Sequence, residues 1–417
     1  MRNQNKYNLL PIIIIGVLFF IFGFVTWLNS TLIPYLQLAC ELSNFEAMLV
    51  AFAFYISYFV LAIPSSWILE KTGFKNGMSL GLSVMAIGSL VFIPAAISRT
   101  YSLFLTGLFV QGAGLSLLQT ASNPYVTILG PIESAAKRMS IMGLANKIAG
   151  ILSPLILGAI ILKNTDEIEV SIITMSIAEK NTILDSLAHR VIEPYLIMTV
   201  VLFVLAVAIR FSGLPKISNH QSDDKSLNKK QRGIFSYTYL WLGVMALFFY
   251  VGVEVIAVDT IITYGKSIGF EISKARFFAS FTLFGMIAGY VLGIIAIPKI
   301  ISQSKALAIM AVLGVVFTLF GVVTQGIMSV MSIALLGFAN AIMWPAIWPL
   351  SIEGLGKHTK LGSAFLIMAI AGGAIIPLVY GALSDLPHIG TQIAYLIMVP
   401  CYLFIMFFAL KGYKIGR

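Results

Sequence analysis

This sequence of 417 residues has little of what chemistry in water uses. Charged residues make up only 11% of it, too few to cover a water-facing globule of this size. Its four histidines, His189, His220, His358 and His388, all fall in segments that read as loops. The two cysteines, Cys40 and Cys401, sit at opposite ends of the chain. Neither set has metal-ligand spacing, so no metal, cofactor or disulfide is expected. A Ser/His/Asp set and a phosphate-cradling glycine loop are also missing, which argues against an enzyme.

What is abundant is apolar side chain: 59% of residues are hydrophobic and the mean hydropathy is +0.95. A bilayer core of about 30 Å takes roughly 20 apolar residues as a helix. Twelve such stretches are expected, near 10–36, 47–70, 77–98, 101–128, 138–163, 192–213, 237–264, 273–298, 304–324, 327–352, 360–384 and 391–411. The fold class is therefore an all-α membrane protein with twelve transmembrane helices. The N-terminus has a short basic region and no small-residue cleavage site before its long apolar helix, so that helix is expected to be retained as the first span.

Basic residues set the orientation, because they stay on the cytoplasmic side. Arg2, Lys71, Lys75, Lys137, Arg138, Lys225, Lys229, Lys230 and Arg232 share one side if both termini are cytoplasmic. The longest outer loop instead carries Asp166, Glu167, Glu169, Glu179, Asp185 and Glu193. The net charge of +10 thus reflects topology and anionic lipid, and gives no reason to expect a nucleic-acid partner. A polar stretch from Lys216 to Gly233 divides the chain into a six-helix bundle at 1–213, a cytoplasmic linker at 214–236 and a second bundle at 237–417. SNPYVTILGPIESAAKRMSIMG and WPLSIEGLGKHTKLGSAFLIM echo each other across the halves, the weak internal symmetry of transporters built from repeats.

Polar residues inside the spans carry the functional argument, since they are costly there and usually face a bundle interior. Span four places Gly112, Ser116, Gln119, Ser122 and Asn123 on one stripe, suited to a hydroxyl-bearing ligand because amides both donate and accept. Helix-to-helix glue is the alternative for the same stripe. Span one holds Trp27 and Asn29 as candidate ligand contacts, with the alternative that Asn29 and Ser30, near Pro34, satisfy backbone groups freed at a kink. Span ten, ANAIMWPAIWPL, has Asn340, Trp344 and Trp348 four apart, an indole platform for the apolar face of a pyranose, with Trp348 also readable as an interfacial anchor.

Charges are rarer still. Lys147, in GLANKIAGILSP, lies near the midplane beside the small or kinking residues Ser140, Gly143, Gly150 and Pro154. Glu254 and Asp259, both in span seven, are the only carboxylates well inside a span. Five residues apart they diverge by roughly 140° on a regular helix, so one is expected at the cavity and the other nearer an outer gate. Glu254 is the leading candidate to pair with Lys147 across the cavity.

The loop SSWILEKTGFKNG, with Glu70, Lys71, Gly73 and Lys75, resembles the signature loop between spans two and three of the major facilitator superfamily, with Ser66 in place of its glycine and lysines in place of its arginines. FGFVTWLNSTLIPYLQ, TASNPYVTILGP, LGVMALFFYVGVEV and LGKHTKLGSAFLIMAIAGGAIIPLVYGALSD resemble the fucose and glucose/galactose permease branch of that superfamily. The resemblance implies two six-helix bundles around a central sugar cavity lined by spans one, four, seven and ten, and import of a neutral hexose with protons by alternating access. Fucose permeases carry an aspartate in span one and a glutamate in span four; here Ser30 and Gln119 stand there, so coupling does not carry over from those acids. Glu254 resembles a glutamate of the glucose/galactose members, and Asn146, just before Lys147, matches the family's cavity asparagine.

The expected protein is a monomeric importer of a small neutral sugar in a bacterial inner membrane. Gln119, Asn123, Asn146 and Asn340 bind hydroxyls, Trp344 and Trp27 stack, and a coupling cation, H⁺ or Na⁺, acts through Glu254, Asp259 and Lys147. An uncoupled facilitator is the second reading. Multidrug export suits a cavity of amides less well, and a membrane sensor would be expected to carry a sizeable soluble domain.

Overall fold

The computed structural model describes residues 9–128, 135–172, 174–214, 233–297, 300–355 and 358–416, without the side chains at 9–10, 123–124, 127–128, 135–140 and 359–360. Asn123 is thus described by its backbone alone. Lys137 and Arg138 are too, whereas Arg2 and most of the central linker, with Lys225, Lys229, Lys230 and Arg232, lie outside the described residues altogether.

All the described elements are helices: α1 Leu9–Trp27, α2 Asn29–Ala39, α3 Asn44–Ile97, α4 Tyr101–Ile128, α5 Ala135–Ile161, α6 Thr165–Ser171, α7 Ile177–His189, α8 Ile192–Phe211, α9 Thr238–Asp259, α10 Ile261–Ser267, α11 Ile272–Ala275, α12 Phe278–Ala296, α13 Gln303–Val323, α14 Gly326–Asn340, α15 Met343–Ile352, α16 Thr359–Met368, α17 Gly372–Ser384, α18 Gly390–Ala394 and α19 Met398–Leu410. Lipid offers no hydrogen bonds, so a spanning backbone must satisfy its own groups, and helices do so within one segment. Eleven stretches are long and apolar enough to cross a membrane. One of them, α3, runs for 54 residues and contains two spans joined at Gly73, whose φ of 73° and ψ of 167° interrupt the helix. The chain therefore has twelve transmembrane helices.

The expected loop at Glu70–Lys75 is thus a turn made at one glycine. Gly73 adopts a φ that side chains with a Cβ disfavour, and Lys75 reaches across to donate to the Ser212 carbonyl beyond α8. The expected outer loop after span five is also ordered as helix: α7 starts with a capping box in which Ser176 and Glu179 satisfy each other's backbone N–H groups.

Within the first half, α3 packs on α4 and α8 while α1 packs on α5; within the second, α12 packs on α14, α13 on α14 and α19, and α17 on α9. The halves meet where α3 meets α17, where α5 meets α12, and where α2 meets α9 and α10. Several spans are discontinuous. Span one breaks at Leu28 between α1 and α2, span seven at Thr260 between α9 and α10, and span ten at Ala341–Ile342 between α14 and α15. Spans one and seven are counterparts in the two halves, and α2, after the first break, packs on both α9 and α10 of the other half.

Candidate functional site

The centre of the molecule is built around Lys147, about midway along α5. Its Nζ lies 3.0 Å from Glu254 Oε1, on α9 of the other half, and 4.3 Å from the centre of the Trp27 ring. Both charged residues are buried, at 6% and 9% exposure. The ammonium is thus held by an opposite charge on one side and an indole face on the other, and the latter is worth up to about 2 kcal/mol when desolvated. Tyr250, one turn from Glu254, and Tyr290 of α12 both lie within its electrostatic reach.

One of the small residues beside Lys147 makes room for an aromatic ring. A Cβ on Gly150 would lie 2.4 Å from Trp27 Cδ1, so the glycine admits the indole. Trp27 is consequently buried, and its Nε1 has no hydrogen-bond partner. Asn29, directly after the break in span one, is 1% exposed, and neither its Nδ2 nor its Oδ1 is satisfied. It does not serve as a partner for backbone groups at the kink.

The remaining amides divide into two kinds. Gln119 is half-buried and donates to the Tyr58 hydroxyl at 3.1 Å. Asn146 is half-buried and makes a long contact, 3.4 Å, to the Phe19 carbonyl. Asn340 is fully buried and turned toward the last span, where its Oδ1 accepts from the Tyr402 hydroxyl at 2.9 Å. In span four, Gly112 is pressed against Phe54 and Ser57 of α3, while Ser116 and Ser122 are buried without partners. Part of that stripe is a packing surface, and Gln119 is its member with partial access.

Trp344 and Trp348 stack along α15, with ring centroids 5.5 Å apart and planes at 23°. Tyr250 sits 6.4 Å from Trp344, which joins this aromatic face to the Glu254 neighbourhood. Asp259 ends α9 and is completely buried, and neither of its carboxylate oxygens has a hydrogen-bond partner. Tyr55 of α3 lies within its electrostatic reach.

Sequence reasoning missed the tyrosines of span two. FYISYF places Tyr55 and Tyr58 three residues apart, and their rings stack at 6.5 Å. The i,i+3 spacing was a usable signal. Among the described residues no three His, Cys, Asp or Glu side chains gather as a metal site. An apolar cavity of about 290 Å³ lies between α1, α5 and α8, lined by residues such as Phe24, Leu157 and Met198. It touches none of the polar candidates and has the character of a lipid-facing crevice.

Comparison with known proteins places this arrangement. A family model described as Major Facilitator Superfamily matches residues 15–377. A glucose/galactose transporter of Brucella abortus is 35% identical over 402 residues, covering 95% of this chain and 93% of the relative. The L-fucose-proton symporter of Escherichia coli K12 is 32% identical, covering 97% and 94% of the two chains. The crystal structure of the E. coli fucose:proton symporter superimposes with a TM-score of 0.71 at 30% identity, covering 97% of this chain and 98% of that one. The chain belongs to the Major Facilitator Superfamily, and its relatives and fold are those of membrane transporters rather than enzymes.

Proposed function

We propose that this protein is a secondary active transporter importing a neutral hexose of the glucose, galactose or fucose kind with a cation, in the first instance a proton. Relatives named as a glucose/galactose transporter and an L-fucose-proton symporter support the substrate class. The bundles at 1–213 and 237–417 rock about the central site, the segment 214–236 links them on the cytoplasmic side of a bacterial inner membrane, and the monomer is the working unit. Gln119, Asn123 and Asn146 meet hydroxyls from the first half, and Trp344 supplies the stacking face from the second. Trp27 and Asn29 are buried in the state described and reach sugar only when the halves separate, whereas Asn340 is engaged by Tyr402 of its own half.

The observation that carries this reading is the buried Lys147–Glu254 pair, 3.0 Å long and spanning the two halves. An ion biases an equilibrium only through a differential interaction with its states. A pair that exists when the halves meet and parts when they separate is such an interaction. The replacement of both family acids by Ser30 and Gln119 favours an uncoupled facilitator as the second reading.

Uptake of a panel of labelled hexoses into proteoliposomes, with an imposed H⁺ gradient, an imposed Na⁺ gradient or none, separates these readings. Accumulation of one hexose above equilibrium under the H⁺ gradient is expected. Counterflow with no accumulation under either gradient would establish the facilitator instead.

A further inference from the structure

Resting on the proton-coupled reading above, we infer that Asp259, and not Glu254, is the group that takes up the proton when the outer ends of the two halves close. In the state described, Glu254 has its counter-charge in Lys147. Asp259 has none: it is 0% exposed and receives no hydrogen bond at either oxygen. An ionised carboxylate without donors or a cation in a water-excluded site is strongly disfavoured, whereas the protonated acid is tolerated.

Among the described residues, no charged group on the elements packed around Asp259 pairs with it. Glu254 on its own helix and Tyr55 on α3 are the titratable groups that act on it, and neither supplies positive charge. Tyr35 of α2 donates to the Leu187 and Ala188 carbonyls. On α10, Tyr264 bonds Ser329 and Lys266 pairs with Glu169. Tyr290 of α12 lies toward Glu254, Tyr380 of α17 donates to the Thr391 carbonyl, and Tyr402 of α19 donates to Asn340. Arg276, following α11, passes beside Gly158 of α5, with its guanidinium over the Phe277 ring. None of these forms an ion pair or a hydrogen bond with Asp259.

Its position adds the second argument. Asp259 is the last residue of α9, at the break where Thr260 starts a new helix, and α9 and α10 pack on α2 of the other half. Separation of the halves at that end wets the break, and Asp259 ionises as an ordinary carboxylate. Closure then needs one proton from the outer water, bound to a carboxylate oxygen, which leaves the closed site with a neutral acid beside a neutral ion pair. Because the closed form binds the extra proton, lower external pH favours closure.

The experiment records hexose-triggered proton uptake with a pH electrode in proteoliposomes, beside hexose counterflow at equal pH, for the wild type, Asp259→Asn and Glu254→Gln. Wild type is expected to take up protons with sugar. Asp259→Asn is expected to keep counterflow within about threefold of wild type while losing more than nine-tenths of the proton uptake per sugar, and its counterflow should become independent of external pH. Proton uptake per sugar that stays at the wild-type ratio in Asp259→Asn overturns the assignment. Wild-type counterflow without proton uptake for any hexose instead overturns the coupled reading on which it rests. If Asp259→Asn does not purify as a monodisperse protein, a lipid-soluble carbodiimide on wild type decides the matter. That reagent attacks a protonated carboxyl in an apolar site, so peptide mapping is expected to find it on Asp259, and modification confined to Glu254 overturns the proposal.

Discussion

The carboxylate of Asp385, just beyond α17, accepts hydrogen bonds from the backbone N–H groups of Asn44 and Phe45 at 2.9 and 2.8 Å. Those donors belong to the first turn of α3, which has no intrahelical partners for them, so an acid of one half caps a helix of the other. Asp166, in the first turn of α6, does the same for Ile272 and Ser273 at 2.7 and 3.2 Å. The two latches exchange when the halves are exchanged, span five with span eleven and span two with span eight. Lys266 with Glu169, at 2.8 Å, joins the halves at the same end. The end expected to face outward is therefore tied shut in this state.

Removing a latch should let that end open. Asp385→Ala and Asp166→Ala each remove a helix cap worth about 1 kcal/mol, roughly fivefold in an equilibrium constant. Ser280→Cys, in a Cys40→Ser, Cys401→Ser background, gives the readout: Ser280 is buried at the seam and donates to the Ile151 carbonyl at 3.2 Å. A membrane-impermeant maleimide added outside should label it several-fold faster in either single variant and faster again in the double. Unchanged labelling in all three would rule the latches out.

The Lys147–Glu254 pair makes a different prediction, because a lone buried charge is worse than none. Lys147→Met or Glu254→Gln alone leaves an uncompensated partner and should destabilise the protein by roughly 3–5 kcal/mol. The double variant Lys147→Met/Glu254→Gln should recover most of that loss, since replacing a buried pair with neutral groups is often neutral. Thermal unfolding in detergent, followed by size exclusion, measures this. Single variants as stable as wild type would show that the pair is not held in this geometry.

That pair was legible in the sequence because charges inside spans are few: one lysine in the first half, two acids in the second, and a family pattern to bring the helices together. The assignments of Asn29, Asn340 and Asp259 were harder for a physical reason. Facing is read by stepping 100° per residue, and the step is lost where a helix breaks, at Leu28, Thr260 and Ala341–Ile342. Each of the three residues lies next to such a break. Gln119 stands out from its stripe, but its hydrogen-bond partner Tyr58 does not, because a tyrosine in a span is easily counted as bulk. Gly73 marked a turn in the sequence, yet the turn takes only that residue and the helical pattern runs on through both sides.

Span ten separates two roles that the sequence had put together. Trp344 is half-buried on the stacked face, whereas Asn340 is spent on Tyr402. Trp344→Ala should raise the counterflow KM about fivefold, the loss of one aromatic contact of roughly 1 kcal/mol, with little change in stability. Asn340→Ala should do the reverse, leaving the Tyr402 hydroxyl unsatisfied at about 1–3 kcal/mol of stability with KM nearly unchanged. If the KM rises only in Asn340→Ala, the face that meets sugar has been misassigned.

Gly150 tests whether Trp27 belongs to the Lys147 site or only to the packing of span one. Its missing Cβ would stand 2.4 Å from Trp27 Cδ1 and 3.0 Å from Cγ and Nε1, so Gly150→Val must push the indole away from the ammonium. The indole has no hydrogen bond at Nε1 to hold it in place. With the ring displaced, Lys147 loses its cation–π contact and keeps Glu254, and the pair becomes easier to hydrate. Gly150→Ala, with one methyl, should lower the transport rate several-fold and shift the Trp fluorescence maximum to the red, and Gly150→Val should go further in both. Trp27→Phe in the Gly150→Val background gives the smaller ring room to return, so part of the rate should come back. A rate that falls without any recovery on that substitution would mean the glycine serves only the crossing of α1 and α5, and that Trp27 has no share in holding the lysine.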